Sequence, residues 1–168
     1  MQLTGKQIVE NGIVIGACEE GIQQQGVDVR IAKISIVGEN CLDYGFVPVH
    51  GKTVTPMCEN IPCELNTNTW RLKPGYYEIE FLEGCNIPAN AAMAFKTRSS
   101  LVRCGAEVRS GQFDGGFKTK AMGAFLKVEL PIEIEKHARV AQMIVTETYP
   151  VDEEHLYDGQ WQGDKQRG

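Results

Sequence analysis

Chain-breaking residues are scattered along the whole sequence. Its 18 glycines and 7 prolines fall at short intervals rather than pooling in a linker, which leaves little room for long helices. The intervening runs are short, and several alternate. Tyr76–Leu82 follows the turn pair Pro74–Gly75, with Tyr77, Ile79 and Phe81 on one face and Glu78 and Glu80 on the other. Val27–Ile36 alternates in part, and Ala124–Leu130, Ile132–Ile134 and Arg139–Thr148 are three further strand candidates. Many short strands with turns between them predict an all-β sandwich or barrel.

Two segments break the β pattern. Thr4 is placed to cap a helix over residues 5–11, with Ile8 and Val9 inward and Gly12 as its stop. Thr97–Arg103 has room for one or two helical turns, capped by a serine and ended by Gly105. The polar stretch Lys52–Asn68, with Pro56 and Pro62, reads as an irregular arm, and residues 152–168 as a mobile tail. At 168 residues the chain is expected to form one domain.

The net charge of -5 argues against a surface that holds nucleic-acid backbone, although a few arginines suffice for a small phosphate site. No apolar run approaches the roughly 20 residues of a membrane span, and the N-terminus MQLTGKQIVENG lacks a signal pattern. The expected setting is cytoplasmic, with no membrane partner. In that compartment Cys18, Cys41, Cys58, Cys63, Cys85 and Cys104 are expected to be structural or free thiols. No second Cys/His pair joins Cys58 and Cys63 to complete a zinc site.

Five segments carry possible chemistry. Arg98-Ser99-Ser100-Leu101-Val102-Arg103 joins two guanidinium groups and two hydroxyls to a helix start, a combination suited to polyphosphate. Taken alone, it reads more readily as a capped surface helix. Ser110–Phe117 sets Asp114 between an aromatic and two glycines, where a carboxylate can take a proton from water. The same residues also make an ordinary Asp-Gly turn. Asp28, in Gly26-Val27-Asp28, can sit near a cation or simply mark a strand edge. Gln142 stands in a nearly apolar strand and needs a hydrogen-bond partner. Gln160-Trp161-Gln162 lies in a glycine-flanked tail that can close as a lid or hang free.

Taken in order, GVD at 26–28, LKPG at 72–75, Ile87-Pro88, RSSLVRCG at 98–105, FDGGF at 113–117, RVAQMIV at 139–145 and YDGQWQG at 157–163 resemble the dUTPase/dCTP deaminase superfamily. The pattern is nearest to archaeal and viral-type dUTPases with a deaminase-like layout. The resemblance implies a distorted jelly-roll that forms a homotrimer with active sites between subunits. It implies that Arg98, Ser99, Ser100, Arg103, Gln142, Gln160 and Gln162 hold phosphates, with Trp161 in the lid. It implies Asp114 as the group that orients water, with Gly111, Gln112, Phe113 and Phe117 at the base and sugar. Asp28 would reach Mg²⁺ through water.

Three departures qualify the match. Lys118, Thr119 and Lys120 follow Phe117 where the family usually has a glycine. The acid–base Glu of dCTP deaminases falls, by ungapped counting, on Ala124, and the next acid, Glu129, lies at an odd offset. The tail lacks the Gly-rich closing motif of common trimeric dUTPases. The reading is therefore hydrolysis of dUTP to dUMP and pyrophosphate. A dCTP deaminase and a non-catalytic nucleotide- or partner-binding trimer are the alternatives.

Overall fold

The computed structural model describes residues 1–38 and 45–163. Within them the elements run α1 (Gly5–Glu10), β1 (Val14–Ile15), β2 (Ile22–Gln23), β3 (Gly26–Val37), β4 (Cys58–Asn60), β5 (Thr69–Leu72), β6 (Gly75–Phe81), β7 (Gly84–Asn86) and β8 (Ala91–Thr97). They continue with α2 (Ser99–Arg103), β9 (Ala106–Arg109), β10 (Lys118–Thr119), β11 (Gly123–Val128), β12 (Ile132–Glu135) and β13 (Arg139–Glu147). The chain is mostly β, as its punctuation requires.

The main sheet runs β8-β13-β3-β6-β11-β9, with β2 and β4 also paired to β3. Its spine is β3, a run of 12 residues rich in Val and Ile, types that suit a pleated, buried surface. The two ends of the path meet. Thr97 Oγ1, at the end of β8, accepts the Val108 N–H of β9 at 2.9 Å and donates to the Val108 carbonyl at 3.3 Å. That stitch curls the sheet into a barrel-like form and shields two strand edges. Inside lie Val27, Ile31, Ile34, Ile79, Phe81, Leu126 and Met143. β6 buries Tyr77, Ile79 and Phe81 and keeps Glu78 and Glu80 half-buried, following its alternation.

α1 carries the expected cap. The Thr4 hydroxyl accepts the Gln7 N–H at 3.3 Å, and the Gln7 side chain accepts the Thr4 N–H at 2.9 Å, a closed capping box. α2 differs from expectation: Arg98, not a serine, is the residue before the helix, and no side chain caps it. The arm is more ordered than its composition suggests, since β4 pairs with β3 and Phe46 pairs with Val54. β8 and β9 are also strands that the pattern does not announce. The alanines of Ala91–Thr97 carry little β preference, and pairing with β13 supplies what they lack.

One ion pair joins a fully buried carboxylate to a half-buried guanidinium. Glu83 is fully buried and meets Arg30 Nε at 2.6 Å, while the Arg30 backbone N–H donates to its other oxygen at 2.8 Å. The hydrogen bond to Glu83 is the main reason the Arg30 pKa rises above its ordinary value. The pair ties β3 to the turn between β6 and β7. Among the described residues no helix is long and apolar enough to cross a membrane.

Candidate functional site

A first polar cleft of about 240 Å³ opens where β3, β13 and the end of β8 lie side by side, lined by Gln23, Asp28, Lys96, Thr97, Arg98, Ser99 and Gln142. The register explains the set: Gln142 stands opposite Asp28 on one side and Lys96 on the other. Asp28 is only 2% exposed. Arg98 Nε lies 3.1 Å and Arg139 Nη1 3.5 Å from its Oδ2, and the Gln142 amide donates to its Oδ1 at 3.3 Å. The partner that Gln142 needs is thus Asp28. Arg98 Nη1 also donates to the Arg139 carbonyl at 3.2 Å. Gly26 permits the close strand approach beside the cleft, because a Cβ there would come within 2.5 Å of the Met143 carbonyl. Ser99 and Ser100 are exposed in the first turn of α2, next to Arg98.

A second cleft of about 360 Å³ lies around Asp114, lined also by Ala91, Gln112, Thr148, Tyr149, His155 and Tyr157. The Phe117 N–H donates to the Asp114 carbonyl at 3.1 Å, and Gly116 has φ +94, so Asp114 opens a tight turn that needs a glycine. Its carboxylate is exposed and accepts the Gln112 amide at 2.9 Å. Phe113 is bridged to Met93 and half-buried, and Gly111 is exposed. Phe117 is the ring expected against the sugar. It is buried between Phe113 and Tyr157, with ring centroids 5.0 and 5.5 Å away, and Tyr157 is the ring that lines the cleft.

The tail also departs from expectation. Residues 152–163 are docked rather than loose, and 164–168 lie outside the described residues. The Tyr157 N–H donates to the Gly115 carbonyl at 2.9 Å. The Gln162 amide donates to the Gly116 and Tyr157 carbonyls at 2.8 Å each and accepts the Lys118 N–H at 2.9 Å. Gln160 is held by Thr53, accepting its N–H at 3.0 Å and donating to its carbonyl at 2.9 Å. Both amides expected at phosphate are therefore committed to this chain's own backbone. Trp161 is 39% exposed, and its N–H donates to the Tyr157 hydroxyl at 3.0 Å.

The structure brings Asp28, Arg98, Ser99 and Gln142 together and leaves Asp114 elsewhere. Ala91 lines the second cleft and Thr97 the first, so the two stand at opposite ends of β8, roughly 20 Å apart at about 3.3 Å per residue. Arg103 is exposed in the last turn of α2 and lines neither cleft. Sequence reasoning missed Arg139, Lys96, Gln23 and Tyr157 as lining or contacting groups. Arg139 sits three residues before Gln142, a spacing that on a regular strand places the two on opposite faces.

The family model described as dCTP deaminase-like matches residues 3–148. The chain belongs to that family. A relative from Aeropyrum pernix, named a probable deoxyuridine 5'-triphosphate nucleotidohydrolase, is 32% identical over 167 residues, covering 98% of this chain and 99% of the relative. A deoxyuridine 5'-triphosphate nucleotidohydrolase from Methanocaldococcus jannaschii is 33% identical over 146 residues, covering 86% and 89%. The crystal structure of the 2'-deoxycytidine 5'-triphosphate deaminase from Agrobacterium tumefaciens shares the fold, with a TM-score of 0.60 at 14% identity; it covers 86% of this chain, which spans 47% of that one. In this family member, Ala124 is buried in β11 opposite Ile79. Glu129 lies just past that strand, exposed, 3.8 Å from Lys127, and its N–H donates to the Gly105 carbonyl at 2.8 Å.

Proposed function

We propose that this protein is a dUTP diphosphatase, hydrolysing dUTP to dUMP and pyrophosphate in deoxynucleotide metabolism. The observation that carries the reading is the likeness, over nearly the full length of both chains, to a relative named for that activity. The site chemistry agrees with it. Phosphoanhydride hydrolysis needs charge neutralisation, positioning and one activated water, with no covalent nucleophile. Arg98, with Ser99 and Ser100 beside it, offers cationic and hydroxyl contacts for phosphate. Asp114, exposed on its glycine turn, takes the proton from the attacking water. The backbone of 111–113 meets the base, and Tyr157, backed by Phe117, lies against the sugar. Arg103 and the tail amides Gln160 and Gln162 reach phosphate only where a neighbouring subunit or a released tail presents them.

A divalent cation fits the donor set as a passenger on the phosphates. Asp28 is ion-paired with Arg98 and Arg139 at Oδ2 and accepts the Gln142 amide at Oδ1, which leaves acceptor capacity for a metal-bound water. Mg²⁺ keeps several waters and binds mainly through substrate phosphates, so no all-protein cage is needed. When bound it offsets phosphate charge. Asp28 and Gln142 are the residues that would hold its waters.

The test is a panel of nucleoside triphosphates with Mg²⁺, read for both pyrophosphate and ammonia. Pyrophosphate from dUTP and background ammonia from dCTP are expected. One observation favours a second reading as a deaminase: Glu129 is held beside the end of α2 by its bond to Gly105. A dCTP-dependent ammonia signal that Glu129→Gln abolishes would transfer the function to that reaction. No product from any triphosphate would leave a binding protein.

A further inference from the structure

Asp28 is nearly buried, yet two guanidinium groups share one of its oxygens. Arg98 belongs to the helix start expected to meet phosphate. Arg139 arrives by a less obvious route. Counting back from Gln142↔Asp28 and Ala141↔Val29, a regular ladder would pair Val140 with Arg30 and put Arg139 on the opposite face. The register instead shifts between Arg139 and Ala141, and Arg139 stands opposite Arg30. One extra residue in β13 thus turns an odd spacing into a same-face one, which is what a bulge beside a site does. The redirected guanidinium reaches Asp28 with Nη1, and the same nitrogen donates to the Glu20 carbonyl, fixing it from the β2 side. The carbonyl of Arg139 in turn accepts Arg98 Nη1 at 3.2 Å. Arg139 therefore holds both the counter-ion of Arg98 and one fork of Arg98 itself.

We infer that Arg139 is a positioning residue for phosphate binding, acting through Asp28 on Arg98 and Gln142. This rests on the reading of the first cleft as a polyphosphate site. A phosphate that engages the Arg98 guanidinium weakens that group's hold on Asp28. Without a second cation, a carboxylate this buried would be left poorly paired, which is costly, so it would keep Arg98 for itself. With Arg139 in place, Asp28 stays paired, Arg98 is released toward the ligand, and the Oδ1 bond that orients the Gln142 amide is kept. The bulge is the structural cost of placing that second cation on the site face.

A double-mutant cycle tests this with tripolyphosphate, which carries the phosphates without base or sugar, so the readout does not depend on dUTP turnover. Arg139→Gln is expected to weaken tripolyphosphate binding roughly ten- to a hundredfold, the scale of a lost charge-assisted bond, with Arg139→Lys recovering part of it. In an Arg98→Ala background the same Arg139→Gln change should cost several-fold less than it does in the parent, because the route through Arg98 is gone and only the orientation of Gln142 by Asp28 remains. Additive losses in the cycle would overturn the inference, since Arg139 would then touch phosphate itself. Arg139→Gln binding as tightly as the parent, or a parent with no affinity for tripolyphosphate, would overturn it as well. A thermal midpoint measured for each variant identifies misfolding, and if Arg139→Gln unfolds the protein the cycle is run on Arg139→Lys with the same expectation. A parent that binds tripolyphosphate but does not cleave dUTP would sink the proposed function and leave this inference standing.

Discussion

Asp114 gathers the features of a working carboxylate: exposure, a glycine-dependent turn, and one amide neighbour in Gln112 that orients it without burying it. Asp114→Asn keeps that shape and loses the base. Turnover of dUTP should fall about 10²–10⁴-fold while nucleotide binding persists, and a variant that hydrolyses dUTP at the parent rate would reduce Asp114 to a turn residue. Arg98 makes the complementary prediction. Arg98→Ala should weaken triphosphate binding by roughly 1.5–3 kcal/mol while binding of the free deoxynucleoside is nearly unchanged; equal losses would point to damage of the fold. The cysteines differ by environment in the same residue-level way. Burial pushes the Cys85 thiol up to about 12, which removes its thiolate at neutral pH. Cys58 and Cys104 are exposed. An aromatic disulfide reagent at pH 8 should label those two in the folded protein and reach Cys85 only after denaturant is added, a difference followed by mass mapping.

Between single residues and the whole molecule lie the elements, and here legibility was uneven for physical reasons. α1 was readable because its capping box is local: Thr4 and Gln7 are three apart and satisfy each other. β6 was readable because its buried face alternates strictly. β8 was not, because Ala91, Ala92 and Ala94 say nothing about pairing and only β13 makes them a strand. The site followed the same rule. The RSS segment and Gln142 stood out by residue type, whereas Arg139 was hidden by a bulge and Tyr157 by the aromatic packing that buries Phe117. The tail looked mobile from its composition, and its docking rests on side-chain amides that no periodicity reveals. Gln162 alone makes three such bonds. Removing them in Gln162→Ala should cost roughly 1–3 kcal/mol of local docking without lowering the global thermal midpoint. Limited chymotrypsin digestion should then cut at Tyr157 or Trp161 roughly 5- to 150-fold faster, in line with that free energy. A cleavage rate equal to the parent's would mean that the tail is held elsewhere.

At the scale of the whole molecule, distance decides how a complete site can be assembled. One chain carries its phosphate-type cleft and its carboxylate turn at opposite ends of β8, roughly 20 Å apart. A nucleotide whose reacting phosphate must meet both cannot be served by clefts that far apart. A closed ring of identical chains solves this, since each copy can set its Arg98 end against the Asp114 end of the next. We therefore expect a homotrimer with composite sites, and light scattering should give three times the 18.6 kDa of one chain. The stronger test uses two impaired variants assayed at limiting dUTP. Arg98→Ala keeps Asp114, and Asp114→Asn keeps Arg98. Unfolded together in equal amounts and refolded, they assemble mixed rings in which about a quarter of the junctions pair an intact Arg98 with an intact Asp114 from the other variant. At limiting dUTP, activity should return to about a quarter of the parent level, although each variant alone lies at least about tenfold below the parent. If each site were confined to one chain, every site in the mixture would still lack one group, and the mixture would stay as inactive as its parts.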